Sequence, residues 1–563
     1  MKDQLTRVWQ WLDDNILLCL SVFLIFFIPL WPKIPLADLL PGYIVRLRLE
    51  DIVVGIAFVI YLVQVWRGKI NWKMPTWQGI FANIVLGLMS IACGLLILHT
   101  IPWGAVHIGK SLLHWARYIE YFFMAFLFFA SIKNKNTLKI VAFCMLLTVS
   151  AISIYGMGQK YLYWPVYSTM NREFSKGMRL VLTPHARVQS TFGGHYDFAA
   201  YLVLLLPITL MIARHAGQIW KKPKHWPALG VWTAHILGLW SLIVSAARTS
   251  IIAYFAGAVI VITLDILYSK RSKGRKFGAW WGHNFCYFAL VGLLIFGWGE
   301  DMIERFAHVL DKIQPLHDAY HTANKWRKEL PYKLGWKQEW QPPENSVVVT
   351  VDDYGNNTVI TPTDAQPKPT ASTTRPVDVY VDVPDIKIGI DASGNAYMYE
   401  ATRTWSVNAE KYGLSMAIRL DTLWPNAIAG FLRNPLLGSG YGMITKGESF
   451  AVFTEADSTD NNYLRHLGET GLLGALTFYG TIVYTIWTAL KTLKRSRLGG
   501  RVVNIGYSAA AIGLLINALY IDVFAASKVA FTFWMIDGIF WASQQILLPL
   551  STSGAIKHDK SKN

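Results

Sequence analysis

Charge is scarce in this chain: of 563 residues only 16% are Asp, Glu, Lys or Arg, whereas 53% are hydrophobic and the mean hydropathy is positive. A soluble enzyme of this length carries about a quarter of its residues charged, so that class is excluded. Cysteine is nearly missing too. The four present, Cys19, Cys93, Cys144 and Cys286, all fall within apolar runs and offer neither a disulfide framework nor metal-ligand spacing. No HExxH, Walker loop or serine-nucleophile motif occurs, so the residues imply no metal, no other cofactor and no ATP-driven mechanism. A cleavage site is also wanting after the first apolar run, where Pro29, Trp31, Pro32 and Lys33 follow directly, so that run reads as an anchored span.

What the chain has in abundance is apolar stretches of about the 20 residues that cross a hydrocarbon core, which makes helices rather than barrel strands the spanning elements. The expected fold is an all-α polytopic membrane protein with about 12 transmembrane helices. Their expected bounds are Asn15 to Trp31, Asp51 to Trp66, Ile80 to Thr100, Leu112 to Ser131, Leu138 to Gly158, Asp197 to Arg214, Pro227 to Ala246, Thr249 to Leu267, His283 to Gly299, Gly471 to Thr492, Ile505 to Asp522 and Ala526 to Leu547. Alternate connections carry the lysines and arginines: Arg67, Lys69 and Lys73; Lys133 and Lys135; Arg214 and Lys221 to Lys224; Lys270 to Lys276; Lys491 to Arg501. Positive residues stay on the cytoplasmic side, so both termini are expected there. This topology accounts for most of the net charge of +17, and no nucleic-acid partner is inferred from it.

The chain divides into residues 1–299 with nine spans, an external region 300–470, residues 471–549 with three more spans, and a cytoplasmic tail 550–563. The external region opens with a charged stretch, Asp301 to Trp340, whose MIERFAHVLDKI is amphipathic. Within 342–399 the composition changes: SVVVTVDDYGNNTVI reads as a β-hairpin turning at Tyr354 to Asn357, and VDVYVDV alternates with period two. This small β-rich insertion offers no catalytic constellation. From 402 a helical pattern returns, with Ala417, Ile418, Leu420, Leu423, Trp424, Ala427, Ile428 and Phe431 on one face, until Asn434 and Pro435 stop it.

Ionisable groups at a bilayer are costly and mark functional candidates. In RVQSTFGGHYDFAAYL, Arg187 precedes the Gly193-Gly194 turn, and His195 and Asp197 open a span; the plain alternative is a capping Asp197 and an interfacial His195. Arg248, in SAARTS, needs an anion from another helix, a lipid or a substrate phosphate, and Arg419 faces the same side. In RNPLLGSGYG, Gly438, Gly440 and Gly442 would let backbone amides approach an anion or sugar. DNNYLRHLGETGLLG follows, with Asp460 and Asn461 leading into a helix through Tyr463, and Glu469 just ahead of Gly471. Asp460 is either reactive or a helix cap. Arg46, Arg48 and Asp51 head the second span, and Arg117 with Glu120 reads as a structural pair at i, i+3.

These motifs, RVQSTFGGHYDFAAYLVLLLPI, SAARTSIIAYFAGA, and RNPLLGSGYG followed by DNNYLRHLGETGLLG, in this order among the spans, resemble the O-antigen ligase and polymerase superfamily of bacterial membrane glycosyltransferases. IVRLRLEDIVV, ARYIEYFF, YGMGQ and SKVAFTFWMIDGIFW add to the likeness, which covers nearly the whole chain except about Pro315 to Glu400. The resemblance implies a metal-independent, inverting transfer at the external face of the cytoplasmic membrane, from a polyprenyl-diphosphate-linked glycan donor to a hydroxyl of a glycolipid or glycan acceptor. It implies that Arg187 and Arg248 hold the diphosphate; His195, Arg419, Gly438, Gly440, Asn461, Tyr463 and Glu469 are the candidates expected to line the substrates. Ligases of the family often carry His where this chain has Asp460, directly before the Asn of the HNxYL motif, so Asp460 becomes the expected base, with Glu455, Asp457 and His195 as substitutes. Asp there looks more like the polymerases. A polysaccharide polymerase is therefore the first alternative, a transporter or flippase of lipid-linked sugars the second, and a scaffold binding partners through the β-rich insertion the third.

Overall fold

In the computed structural model the described residues are 2–39, 46–97, 108–170, 174–182, 186–220, 226–269, 272–299, 414–444 and 458–548, with short pieces between 302 and 408. They form α1 (Lys2–Leu30), β1 (Pro35–Asp38), β2 (Arg46–Arg48), α2 (Leu49–Trp66), α3 (Trp77–Ile97), α4 (Ile108–Ser131), α5 (Lys135–Tyr161), α6 (His195–Trp220), α7 (Trp226–Val244), α8 (Arg248–Leu267) and α9 (Lys273–Trp298). After the β-rich segment come α10 (Leu414–Ile418), a π-helical turn (Arg419–Leu423), α11 (Trp424–Arg433), α12 (Asn462–Thr492), α13 (Leu498–Asn517) and α14 (Ser527–Leu547).

Ten of these helices are long and apolar enough to cross a membrane, namely α1 to α3, α5 to α9, α12 and α13. The protein is thus an all-α, multi-pass membrane protein. Of the twelve expected spans, those corresponding to α4 and α14 fall outside the ten. Both are long helices that pack against each other in the middle of the bundle, and α4 carries Lys110, His114, Arg117 and Glu120. Large apolar side chains on α2, α3 and α9, among them Val59, Leu96, Phe285 and Leu293, point outward, as hydrocarbon solvent allows and water does not.

Local signals explain the helix starts. Asn134 caps α5, its side chain accepting from the amides of Asn136 and Thr137 at 2.9 and 3.0 Å. At α2 the Asp51 carboxylate reaches back to the amide of Arg48 at 3.0 Å. The centre is α6, buried nearly all round between α7, α8 and α13. There small residues let backbones approach: a methyl on Gly513 would sit 3.2 Å from the Ala253 carbonyl oxygen.

Six expectations change here, two of them in the bounds of spans: α9 starts at Lys273 rather than His283, and α13 runs Leu498–Asn517 rather than Ile505 to Asp522. The first helix starts at Lys2 rather than Asn15, and α12 starts at Asn462 rather than Gly471, because Gly471 interrupts the helix with φ 65° instead of preceding it. Strands Val348–Val351 and Asn357–Ile360 pair antiparallel around the expected turn, and Ile386–Ile390 with Ala396–Glu400 adds a hairpin the sequence reading lacked. VDVYVDV and most of Asp301 to Trp340 lie outside the described residues. On α10 and α11 the face is only partly as expected: Ala417 and Ala427 are buried, but Ile418 and Ile428 are exposed, since each lies one position, about 100° around the helix, beyond the buried alanine before it.

Candidate functional site

The turn between α13 and α14 organises one end of the bundle. Its Asp522 carboxylate accepts five hydrogen bonds, from Ser458 Oγ, Thr459 N, Thr459 Oγ1 and Arg465 Nη1 at 3.0 Å and from Asn461 N at 3.1 Å. So many donors on one carboxylate hold residues 458–461 in a hook whose tip, Asp460, takes the left-handed conformation at φ 47°. Asn461, not Asp460, caps α12, accepting from the amides of Tyr463 and Leu464 at 3.0 and 3.1 Å. The capping alternative for Asp460 is therefore overturned.

Freed from capping, Asp460 turns toward Arg419, whose Nη2 stands 2.9 Å from Oδ2, while Oδ1 lies 3.0 Å from Ser458 Oγ, whose single proton is shared with Asp522. Arg419 itself is buried, donates to the Tyr520 carbonyl at 3.4 Å and lies 6.0 Å from that ring's centre. Burial in the hook pushes the Asp460 carboxyl above the ordinary carboxylate range; Arg419 opposes this, and the negative charges of Asp522 and Asp197 add to it. Because 39% of the side chain remains exposed, solvent moderates this shift.

Arg187 sits on the loop entering α6 and donates from Nη1 to His195 Nε2 at 2.6 Å. An arginine has no lone pair to offer, so Nε2 is the acceptor and His195 is neutral there. That occupies the nitrogen it would need as a base. Asp197, two residues further along α6, meets Lys33 Nζ at 3.4 Å, and burial lowers the Lys33 pKa against the pull of Asp197. Arg248 opens α8 with its side chain exposed, and no ion pair holds it among the described residues. Among those residues, then, a carboxylate from another helix is not its partner.

Hydrogen bonds tie these segments together. Ser250 Oγ donates to Asn517 Oδ1 at 3.1 Å, Asn462 N to the Ala518 carbonyl at 2.9 Å, and Val188 N to the Val244 carbonyl at 3.3 Å. The start of α8, the hook and the Arg187 loop accordingly share one end of the bundle, around residues 517–522.

The glycine motif has a different job from the one expected. The Gly438 amide donates to Asn434 O at 2.7 Å, Gly440 to Glu469 O at 2.8 Å and Gly442 to Glu469 Oε1 at 3.2 Å, and all three glycines are buried. The amides of Gly440 and Gly442 clasp α12, that of Gly438 closes the end of α11, and none of the three is free to cradle an anion. Glu469 is buried too, bonded to Arg465 Nε at 3.2 Å, and the Tyr463 hydroxyl donates to Leu515 O at 2.8 Å. Arg117 likewise pairs with Asp51, at 2.8 Å, and not with Glu120, because α2 brings a carboxylate closer than its own helix does. Glu455 and Asp457 lie outside the described residues.

Sequence reasoning passed over Asp522 and Lys528, whose signal was an ionisable residue flanking an apolar run. Lys528 is fully buried, and its Nζ donates to the carbonyls of Pro29, Trp31 and Thr191 at 3.1, 2.6 and 2.8 Å, 4.8 Å from the centre of the Phe192 ring. Next to it Ser527 Oγ donates to Glu50 Oε1 at 2.9 Å. Among the described residues no three His, Cys, Asp or Glu side chains converge as a metal ion would require.

No protein-family model matches this chain, and no curated protein matches it in sequence.

Proposed function

We propose that this protein transfers a glycan from a polyprenyl-diphosphate-linked donor to an acceptor hydroxyl, as the O-antigen ligase and polymerase superfamily does, at the outer face of the bacterial cytoplasmic membrane. The observation that carries the reading is the partly exposed Asp460, paired with Arg419 on the same end of the bundle as the exposed Arg248 and the Arg187 loop. The lysines and arginines of the loops at the other end, such as Arg67, Lys133 and Lys494, support placing both termini in the cytoplasm and the site outside.

In this reading the acceptor oxygen attacks the anomeric carbon as the bond from that carbon to the diphosphate oxygen breaks, and the bonding pair leaves with the diphosphate. Negative charge grows on the leaving group, so guanidiniums at Arg248 and Arg187 stabilise the transition state more than the ground state. The acceptor proton passes to the Asp460 carboxylate. A carboxyl raised above its ordinary range is a better match to that proton than a surface aspartate. Asp at position 460 keeps a polymerase of the same superfamily as the second reading, distinguished only by a glycan-bearing lipid as acceptor.

The test is purified protein with a defined lipid-diphosphate glycan and candidate acceptors, the product identified by mass. A single transfer to a lipid core means a ligase, a ladder of repeats a polymerase, and no product returns the question to transport. Arg187→Ala and Arg248→Ala are expected to abolish transfer at normal membrane levels; normal transfer by both would refute the diphosphate clamp.

A further inference from the structure

At the opposite end of the bundle a cavity of about 740 Å³ opens between the segment after α2, the α4–α5 turn and the end of α14. Helix α2, one of the ten apolar enough to cross a membrane, runs from Leu49 to Trp66, just ahead of Lys69 and Ile70 in the cavity wall, and its 18 residues span about 27 Å, close to the thickness of a hydrocarbon core. The cavity therefore lies at the second headgroup layer.

Its wall is divided by chemistry. Phe129, Ala130 and Ile546 form an apolar side, and Lys69, Lys133 and Lys135 a basic rim at the start of α5. Lys69 is neutralised by Asp13 and Asp14. Lys133 meets no carboxylate among the described residues: its Nζ donates to the backbone carbonyl of Asp14, at 3.3 Å. Lys135 meets no carboxylate among the described residues, and both lysines are exposed. A signal that merely keeps loops in the cytoplasm needs the lysines but not a concave wall half apolar and half basic. The tail beyond Leu548 is a poor occupant, because Lys557, Lys560 and Lys562 outnumber Asp559 and would repel the rim.

We propose that this cavity binds the phosphate of an anionic phospholipid headgroup, with the first acyl carbons against Phe129 and Ile546. The proposal does not depend on the glycan-transfer reading, since it uses none of that site's residues. Two unneutralised lysines near an anionic headgroup are worth about a thirty-fold preference over a zwitterionic lipid.

The full chain in neutral detergent, titrated with phosphatidylglycerol and phosphatidylcholine of matched chains and read by native mass spectrometry, is expected to retain the former about thirty-fold more strongly. Lys133→Gln with Lys135→Gln is expected to remove most of that preference. Arg275→Gln, a basic residue on α9 that does not line the cavity, is expected to keep it. Equal retention of the two lipids by the unaltered protein overturns the proposal, as does an unchanged preference in the double variant. In a further arm inorganic phosphate replaces the lipid; if it binds as tightly as phosphatidylglycerol, the site takes free phosphate and the lipid assignment fails.

Discussion

Gly471→Ala is expected to damage this protein severely, whereas Gly480→Ala, further along the same helix, is expected to be harmless or mildly stabilising. Gly471 has φ 65° and ψ −169°, a region open almost solely to glycine, where a side chain costs about 1–3 kcal/mol. A methyl there would also meet backbone: the Gly438 nitrogen at 2.5 Å and the Leu436 carbonyl oxygen nearer still. Neither atom can swing away as a side chain does, so the clasp must open. That puts at risk the bonds from Leu472 N to Pro435 O at 2.8 Å and Leu473 N to Leu436 O at 3.1 Å, each worth about 0.5–1.5 kcal/mol. The sum, about 2–6 kcal/mol, is a large share of ordinary folding stability. Gly480 has open space around its Cβ position, and alanine there gains about 0.5–1 kcal/mol of helix propensity. Thermal unfolding of the two variants in detergent, followed by tryptophan fluorescence, should move in opposite directions. Equal melting temperatures would refute the clasp.

Three further outcomes can be checked with the same protein. If Asp460 is the base, transfer should rise with pH through a midpoint above the ordinary carboxylate value of about 4, and Arg419→Gln, which removes the opposing cation, should push that midpoint higher; Asp460→Asn with an unchanged pH limb would exclude it. For stability the sign is the reverse, since a carboxyl with a raised folded pKa holds its proton more tightly when folded, so Asp460 favours the fold below the unfolded value of about 4 and that contribution is lost as pH rises through the raised folded value. Lys528→Met leaves three buried carbonyls without their donor and should lower stability by about 2–5 kcal/mol, seen as a lower melting temperature; a melting temperature equal to that of the unaltered protein would show that water replaces the ammonium. Asp522→Ala removes the acceptor of five bonds and should expose the 458–461 hook to protease while α6 to α8 stay protected, and uniform protection would show that the hook holds itself.

What was legible in the sequence and what was not divides along a physical line. Long apolar runs announce helices because hydrocarbon leaves the backbone no other way to satisfy itself, so α2, α5, α6 and α8 contain the spans that their residues predict and α3, α7 and α9 overlap theirs, with the main difference an earlier start for α9. Partnerships across the bundle carry no such signal. Arg117 and Glu120 have ideal spacing for each other, yet Asp51, 66 positions away in the chain, takes the arginine at 2.8 Å. The glycines of RNPLLGSGYG read equally well as an anion cradle or a backbone clasp, and only the position of Glu469 decides for the clasp.

The same division bears on Asp460. Its spacing before Asn461 and Tyr463 is compatible with a cap, and a cap would have committed its oxygens to the helix amides. Asn461 takes that duty, and Asp522, 61 positions beyond Asn461 and absent from every local pattern, supplies the acceptor contacts that turn Asp460 outward. A carboxylate so distant in the chain reaches the hook only because α12 and α13 pack against each other, so the exposure of Asp460 is set by the bundle and not by its own motif. The turn that carries Asp522 is itself fixed to α12, where Asn462 Oδ1 accepts from the Phe524 amide at 2.8 Å. Asn462→Ala leaves that buried amide without an acceptor, at a cost of about 1–3 kcal/mol, and lets the turn drift from the hook although neither Asp460 nor Asp522 is altered. Transfer is then expected to fall at every pH while the pH limb assigned to Asp460 persists, which separates loss of placement from loss of the base. Full activity in Asn462→Ala would show that the hook is shaped locally and that the bundle does not set the orientation of Asp460.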